Sequence, residues 1–185
     1  MILFLIPLSL KKEVSTSKLR RQRFFTAIDL HEIKSMVTII KTAITINRPV
    51  SEVWEAFINP VNLPHWLTGF VYVMVISGQQ GAPGSKNKLV LKERGNEIAV
   101  TETVQEITPL KHFRSRMEQT QMNSEVDFRF ISFGNYTEII QTSQLFPNGF
   151  LMKLLMPLLK RSVKKTLTND LMKLKKLIEE TNKPL

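Results

Sequence analysis

The sequence offers few side chains that could do chemistry by themselves. It contains no cysteine, which excludes disulfides, thiolate nucleophiles and every cysteine-ligated metal site. Of the three histidines, His31 lies in the N-terminal segment, and His65 and His112 show no metal-ligand spacing. No two carboxylates fall on one short face, and no Ser/His/Asp arrangement can be read from the sequence. We therefore expect neither a metal nor a cofactor.

One carboxylate stands out by its position. Glu102 falls on the same side of a predicted strand as three apolar residues, Ile98, Val100 and Val104. A carboxylate on an apolar face is costly unless it is paired, hydrogen-bonded or reached by water. Two interpretations stay open: a solvated interior, or a β-bulge or strand end near Glu102 that turns the side chain outward. With a solvated interior, Glu102 is the candidate for a catalytic acid or base.

Seven strands are predicted to position this residue. The first covers residues 37–47 and is rich in β-branched side chains. Two short helices follow, at residues 51–59, with Ser51 as N-cap, and at residues 61–67. Residues 70–77 are apolar on both parities, which predicts a strand buried on both sides or covered by the helices. Short connections between the other runs predict antiparallel hairpins. These runs cover residues 88–95, 96–108, 111–121, 125–133 and 136–146.

A long amphipathic helix is predicted for the C-terminal part, residues 147–181. Pro157 lacks the backbone N–H of a helix interior, so we expect a short first helix, a kink and a main helix from about residue 156 to about residue 180. A buried stripe recurs every three or four residues: Leu151, Leu155, Leu159, Val163, Leu167, Leu171, Leu174 and Ile178. Basic residues on the other side predict a solvated face: Lys153, Lys160, Arg161, Lys164, Lys165, Lys173, Lys175 and Lys176.

The formal charge of +10 is unevenly distributed. Residues 1–35 carry seven Lys/Arg and three Asp/Glu, residues 37–146 carry ten of each, and residues 147–185 carry nine and three. The basic excess therefore lies in the leading segment and in the last helix. Because no nucleic-acid recognition motif or interleaved aromatic pattern accompanies it, we expect no nucleic-acid partner. A chain without cysteine fits a reducing compartment, so a cytoplasmic location is expected.

The 185 residues predict one domain, at residues 36–183, preceded by a weakly patterned leader at residues 1–35. The first ten residues are apolar but fall short of the roughly 20 that span a bilayer, and they lack the features of a secretory signal. One interpretation is that translation starts at Met36. The alternative is a basic, membrane-surface leader.

The order of these elements resembles the helix-grip fold of the START/polyketide-cyclase (SRPBCC) superfamily, an α+β fold. In that fold a seven-stranded curved antiparallel sheet wraps around a long C-terminal helix, with two short helices between strands 1 and 2. The resemblance covers residues 37–181 and depends on four segments in the right order: residues 46–66, 78–86, 104–118 and 155–180.

The resemblance implies a cavity between the sheet and the C-terminal helix for a hydrophobic small molecule, such as a lipid, an aromatic or a polyketide-like compound. It also implies twelve ligand-binding residues, most of them large and apolar: Trp54, Phe57, Trp66, Phe70, Val100, Glu102, Met117, Phe128, Phe130, Met152, Met156 and Leu159.

Three classes of function remain open. The first is a non-catalytic binder or carrier of a hydrophobic small molecule. The second is a cyclase- or dehydratase-type enzyme that uses Glu102 as acid or base. The third is a peripheral membrane-surface protein that uses the basic helix face. The binder is the preferred interpretation, and the sequence leaves the oligomeric state open.

Overall fold

The computed structural model describes residues 37–93 and 95–181; the leader predicted at residues 1–35 lies outside this range. Its elements follow the predicted order: β1 (Thr38–Ile46), α1 (Val50–Ile58), a 3-10 turn (Pro60–Asn62), α2 (Leu63–Trp66), β2 (Phe70–Ser77), β3 (Lys86–Glu93), β4 (Asn96–Thr108), β5 (His112–Glu118), β6 (Met122–Ser132), β7 (Thr137–Pro147) and α3 (Gly149–Thr181). The strands form one antiparallel sheet in the order β1-β7-β6-β5-β4-β3-β2. The predicted α+β helix-grip architecture is confirmed.

Helix α1 begins one residue earlier than predicted. Pro49 occupies the N-cap position and no side chain caps the helix there, so the prediction of Ser51 as N-cap is wrong. The helix buries Val53, Trp54 and Phe57, which lie on one face at helical spacing. At its end, the Asn59 side chain accepts a hydrogen bond from the Val61 N–H at 3.0 Å, which turns the chain sharply into α2.

Strand β2 is an edge strand with mostly exposed side chains, and the prediction that it is buried on both sides or covered by the helices is wrong. Most of its side chains are exposed, including Tyr72, Met74 and Ile76. Only Phe70 and Val73 pack against the core. The physical reason is its place at the edge of the sheet formed by the described residues, where β3 is its one strand neighbour and the core reaches only Phe70 and Val73.

Helix α3 is continuous from Gly149 to Thr181, with Pro157 inside it. The predicted division into two helices is therefore wrong. Proline removes one backbone hydrogen bond from a helix. Here the helix continues because it packs against the sheet on either side of Pro157, through the buried residues Met156 and Val163.

The buried stripe of α3 is confirmed from Val163 onwards, but it changes in the first turns. There the buried residues are Met152 and Met156, whereas Leu151 is exposed and Leu155 and Leu159 are half-buried. The first half of the helix packs on a small cluster with Ile40, Met122 and Leu145, and the second half packs on the main core.

Hydrogen bonds from the second half of α3 to neighbouring segments hold it in place. The buried Asp170 carboxylate accepts hydrogen bonds from the Thr68 backbone N–H at 3.1 Å and from the Thr68 hydroxyl. The Lys175 ammonium donates to the Thr45 carbonyl oxygen at 2.8 Å, and Glu179 accepts from the Asn47 N–H at 2.8 Å. These bonds connect α3 with the end of β1 and with the segment that follows α2.

Candidate functional site

A cavity of about 580 Å³ lies between the sheet and the two short helices. Its volume is within the range of small-molecule sites, roughly 300 to 1,000 Å³. Most of its lining is apolar: Trp54, Phe57, Leu63, Trp66 and Leu67 from the helical segment, and Leu89, Val104, Ile107, Phe113, Met117, Val126 and Phe128 from the strands. Its polar lining residues are Gln80, Asn87, Glu102 and Ser115.

Phe57 of α1 is the centre of an aromatic wall. Its ring stacks on Trp66 with 5.7 Å between centroids and lies 4.8 Å from Phe128 and 5.5 Å from Phe113. These distances are typical of favourable aromatic pairs. Phe130 packs behind the wall, 5.1 Å from both Phe57 and Trp54. The ring contacts fix the orientation of the side chains that face the cavity.

Three polar residues form a second part of the wall, on neighbouring strands. Asn87 of β3 pairs directly with Glu102 of β4, and Glu102 pairs with Met117 of β5, which places Ser115 diagonally across from it. The Asn87 side-chain N–H donates to a Glu102 carboxylate oxygen at 3.0 Å. We call Asn87, Glu102 and Ser115 the polar triad.

Glu102 faces the interior because its pairing is regular. The register shift of β4 against β5 lies between Val104 and Glu106, so no bulge at Glu102 turns its side chain outward. The sequence left open whether Glu102 faces the interior or is turned outward by a bulge, and in the structure it faces the interior. Burial raises the pKa of the Glu102 carboxyl above its usual value, and hydrogen bonding from Asn87 and Ser115 opposes this effect only in part.

The polar triad keeps unused hydrogen-bonding capacity. The Asn87 Oδ1 and Ser115 Oγ atoms are buried and have no fully formed hydrogen bond within residues 37–93 and 95–181, although the Ser115 hydroxyl is near enough to favour the charged form of Glu102. Buried polar atoms normally have a partner. A polar group of a molecule in the cavity could be that partner.

The structure brings six of the twelve sequence-predicted ligand-binding residues to this cavity: Trp54, Phe57, Trp66, Glu102, Met117 and Phe128. The other six lie elsewhere. Val100 and Phe130 are buried in the main core, and Phe70 is half-buried against it. Met152 and Met156, with Leu159 beside them, belong to the separate cluster under the first half of α3. The cavity is therefore bounded by α1 and α2 where α3 was expected.

Asn87, Ser115 and Phe113 line the cavity but are not among the twelve predicted ligand-binding residues, although strand parity predicts an inward Phe113 and allows an inward Ser115. The strand that the sequence predicts begins at residue 88 and leaves Asn87 outside it, whereas β3 begins at Lys86. Its parity with Leu89 and Leu91, both buried, was the signal that could have found it. Phe113 and Ser115 share the parity of Met117, which was predicted to face inward.

The histidines lie away from the cavity. His112 is on the outer face of β5, between Asp127 at 2.6 Å and Glu106 at 3.2 Å, and His65 is at the end of α2. Among the residues that the structure describes, no three His, Asp or Glu side chains are grouped in a way that could hold a metal ion. Within the same residues, no helix has the length and apolarity needed to cross a membrane.

Solved structures with this architecture share the fold at low sequence identity. Zhui aromatase/cyclase of Streptomyces sp. R1128 has 13% identity and a TM-score of 0.65, over 80% of this chain and 97% of that chain. A START superfamily protein of Mycobacterium smegmatis has 12% identity and a TM-score of 0.64, over 78% and 99%. Norcoclaurine synthase of Thalictrum flavum, in complex with dopamine and hydroxybenzaldehyde, has 14% identity and a TM-score of 0.60, over 92% and 100%. These likenesses show that the chain has the helix-grip fold.

The family follows from the sequence model that matches most of the domain. Residues 37–179 match the model described as polyketide cyclase / dehydrase and lipid transport, and the chain belongs to that family. A comparison with curated protein sequences gives no match.

Proposed function

We propose that the chain binds a hydrophobic small molecule in the cavity between the sheet and the helices α1 and α2. The observation that carries the proposal is the composition of the wall: an aromatic and aliphatic surface around Phe57, with the polar triad on neighbouring strands. Apolar pockets with a few convergent polar groups are typical of ligand sites. The family description, which includes lipid transport, supports the same function.

The polar triad indicates the chemistry of the ligand. No Lys, Arg or His lines the cavity among the described residues, so an anionic ligand would have no charged partner there. Burial favours the neutral, protonated form of Glu102, which can donate a hydrogen bond. The ligand that fits is a largely apolar, uncharged molecule, of lipid, aromatic or polyketide-like type, with a carbonyl or hydroxyl group.

A second candidate function is acid–base catalysis of the cyclase or dehydratase kind. The observation that favours it is Glu102 itself, a carboxyl inside an apolar cavity with a raised pKa. Such carboxyls can act as general acids near neutral pH. The aromatase/cyclase with the same fold and the cyclase / dehydrase description of the family support this candidate as well.

Native mass spectrometry of the purified full chain tests the binding proposal. We expect a bound species with a mass shift of one small molecule, which organic extraction removes and recovers. Protein purified without any such species, and with no uptake from a mixed lipid and aromatic extract, would contradict the proposal.

The Glu102→Gln variant separates the two candidates once a ligand is known, because it keeps the shape and removes proton transfer. A carrier should change its affinity by about one hydrogen bond, roughly 0.5 to 1.5 kcal/mol. An enzyme that uses Glu102 should still bind its substrate and lose about 100-fold or more in turnover.

A further inference from the structure

The first turns of α3 carry a second apolar face, opposite the one that packs on the sheet. Met152 and Met156 are buried, while four large apolar residues on the outer side are 59% to 76% exposed: Phe150, Leu151, Leu154 and Leu158. We call these four residues the α3 patch. The buried face stabilises the fold by packing on the sheet, whereas the outer face makes no such contribution. A contiguous exposed apolar surface is typical of an interaction site.

Basic residues continue the α3 patch along the helix. Leu154, Leu158, Arg161 and Lys165 follow the spacing i, i+4, i+7 and i+11, which places them on one face. Residues 149–169 contain five basic and no acidic side chains. The surface is thus apolar at the helix start and basic one to two turns further on.

These basic residues differ from Lys173 and Lys175 in the second half of α3. There, Lys173 lies 3.9 Å from the Asp170 carboxylate, and Lys175 lies 3.6 Å from that of Glu179. Lys160, Arg161, Lys164 and Lys165 are exposed. Within the described part of the chain none of them forms an ion pair, which leaves their charges available to an external anionic partner.

The first described strand starts at the same end of the domain as the α3 patch. Thr38 at the start of β1 pairs with Leu145 near the end of β7, and β7 leads directly into α3. The start of β1 therefore lies beside the start of α3, and the sequence that precedes β1 has an excess of four basic residues over positions 1–35. The charges of leader and helix would repel each other if the leader covered the patch, whereas an anionic surface attracts both.

We propose that this end of the domain docks on an anionic lipid surface. Phe150, Leu151, Leu154 and Leu158 enter the interfacial layer, and Lys160, Arg161, Lys164 and Lys165 contact the lipid phosphates. Helices that combine an apolar face with basic residues bind in this way, and each basic side chain near an anionic leaflet adds to the attraction. The docking surface is separate from the cavity, to which none of these eight residues contributes lining.

Cosedimentation of the full chain with vesicles tests the proposal. We expect binding to phosphatidylcholine vesicles that contain phosphatidylglycerol, weak binding to phosphatidylcholine alone, and release at about 1 M salt, where the Debye length falls to about 3 Å. The Leu154→Asp/Leu158→Asp and Arg161→Glu/Lys165→Glu variants should each lower the partition coefficient about tenfold or more.

Two variants on the same helix outside the patch serve as matched controls. Met172→Asp changes another exposed apolar residue, and Lys176→Glu reverses another exposed charge; both should bind vesicles within about twofold of the wild type if the patch is responsible. Equal losses in patch and control variants would overturn the proposal. So would wild-type binding that does not depend on lipid charge.

A Leu158→Trp variant reports what covers the patch. Its added emission should be that of an exposed indole without vesicles and should shift to the blue when anionic vesicles are added. Blue emission without vesicles would show that the leader or a second copy of the chain already covers the patch, and would contradict the proposal. Cavity binding should be unchanged in Leu154→Asp/Leu158→Asp, so the two proposals can fail separately.

Discussion

Replacing Glu102 by Gln should stabilise the folded chain at neutral pH and have little effect in acid. Glutamine keeps the shape of the side chain, and its carbonyl oxygen can still accept the hydrogen bond that Asn87 donates at 3.0 Å. What the variant loses is the ability to carry a charge inside the cavity. The difference between the two proteins therefore measures how much burial disfavours the charged carboxylate.

The direction of the pKa shift determines how the free energy of unfolding of the wild type changes with pH. Burial raises the pKa of Glu102 in the folded chain above its ordinary value of 4.5, so between these two values the folded state holds a proton that the unfolded chain has lost. The stability that comes with this proton is complete below pH 4.5 and is lost as the pH rises through the folded-state pKa. One proton changes the free energy of unfolding by at most about 1.4 kcal/mol per pH unit.

Urea unfolding of both proteins from pH 4 to pH 8 measures this difference. The advantage of Glu102→Gln should be small near pH 4, rise with pH by up to about 1.4 kcal/mol per unit, and then level off. Glu97→Gln is the matched control, because Glu97 is exposed on the outer face of the same strand; it should show no such rise. A flat or falling difference for Glu102→Gln would refute the argument that the cavity around this half-buried side chain disfavours its charged form.

Three further predictions concern stability, each read from thermal or urea unfolding. Leu167→Ala should lower the free energy of unfolding by about 2 to 5 kcal/mol, because Leu167 is fully buried, whereas Leu158→Ala should stay within about 0.5 kcal/mol; equal effects would contradict the orientation of α3. Pro157→Ala should raise stability by about 1 to 3 kcal/mol, since α3 continues through this position, and a loss would show that the proline is required. A chain that begins at Met36 should keep its thermal midpoint within about 2 °C, because residues 1–35 show no pattern that buries a sizeable face; a drop of about 10 °C would contradict this.

Most of the architecture could be predicted from the sequence because its signals are local. Alternation along β4 to β7, the turns between them and the helical period after Val163 are properties of short segments. The first turns of α3 carried no such signal. Leucines and methionines lie on all sides of the helix there, so the helical period alone cannot identify the buried face. Met152 and Met156 are the buried residues because they pack in one cluster with Ile40 and Leu145.

The same limit applies to β2 and to the cavity. An apolar run such as residues 70–77 is typical of a buried strand, but whether it lies at the centre or at the edge of the sheet depends on the order of the strands. Half of the predicted lining residues lie at the cavity: Trp54, Phe57 and Trp66 from α1 and α2, and Glu102, Met117 and Phe128 from β4, β5 and β6. Strand parity predicts the inward side only for the last three. Which part of the inner face stays open depends on how α1 and α2 pack, and that is a tertiary property.

The central claim is that the cavity beside the polar triad takes up a hydrophobic molecule, and titration with an apolar, environment-sensitive dye tests it most directly. The wild-type chain should bind about one dye per domain. Val104→Trp, which fills the lined space, should abolish binding, while Ala99→Trp, on the exposed side of the same strand, should not. Ser115→Leu serves as a second filling variant, and near-ultraviolet circular dichroism establishes that each variant is folded. Dye binding that survives in folded Val104→Trp and Ser115→Leu, or that is absent in the wild type, would contradict the claim.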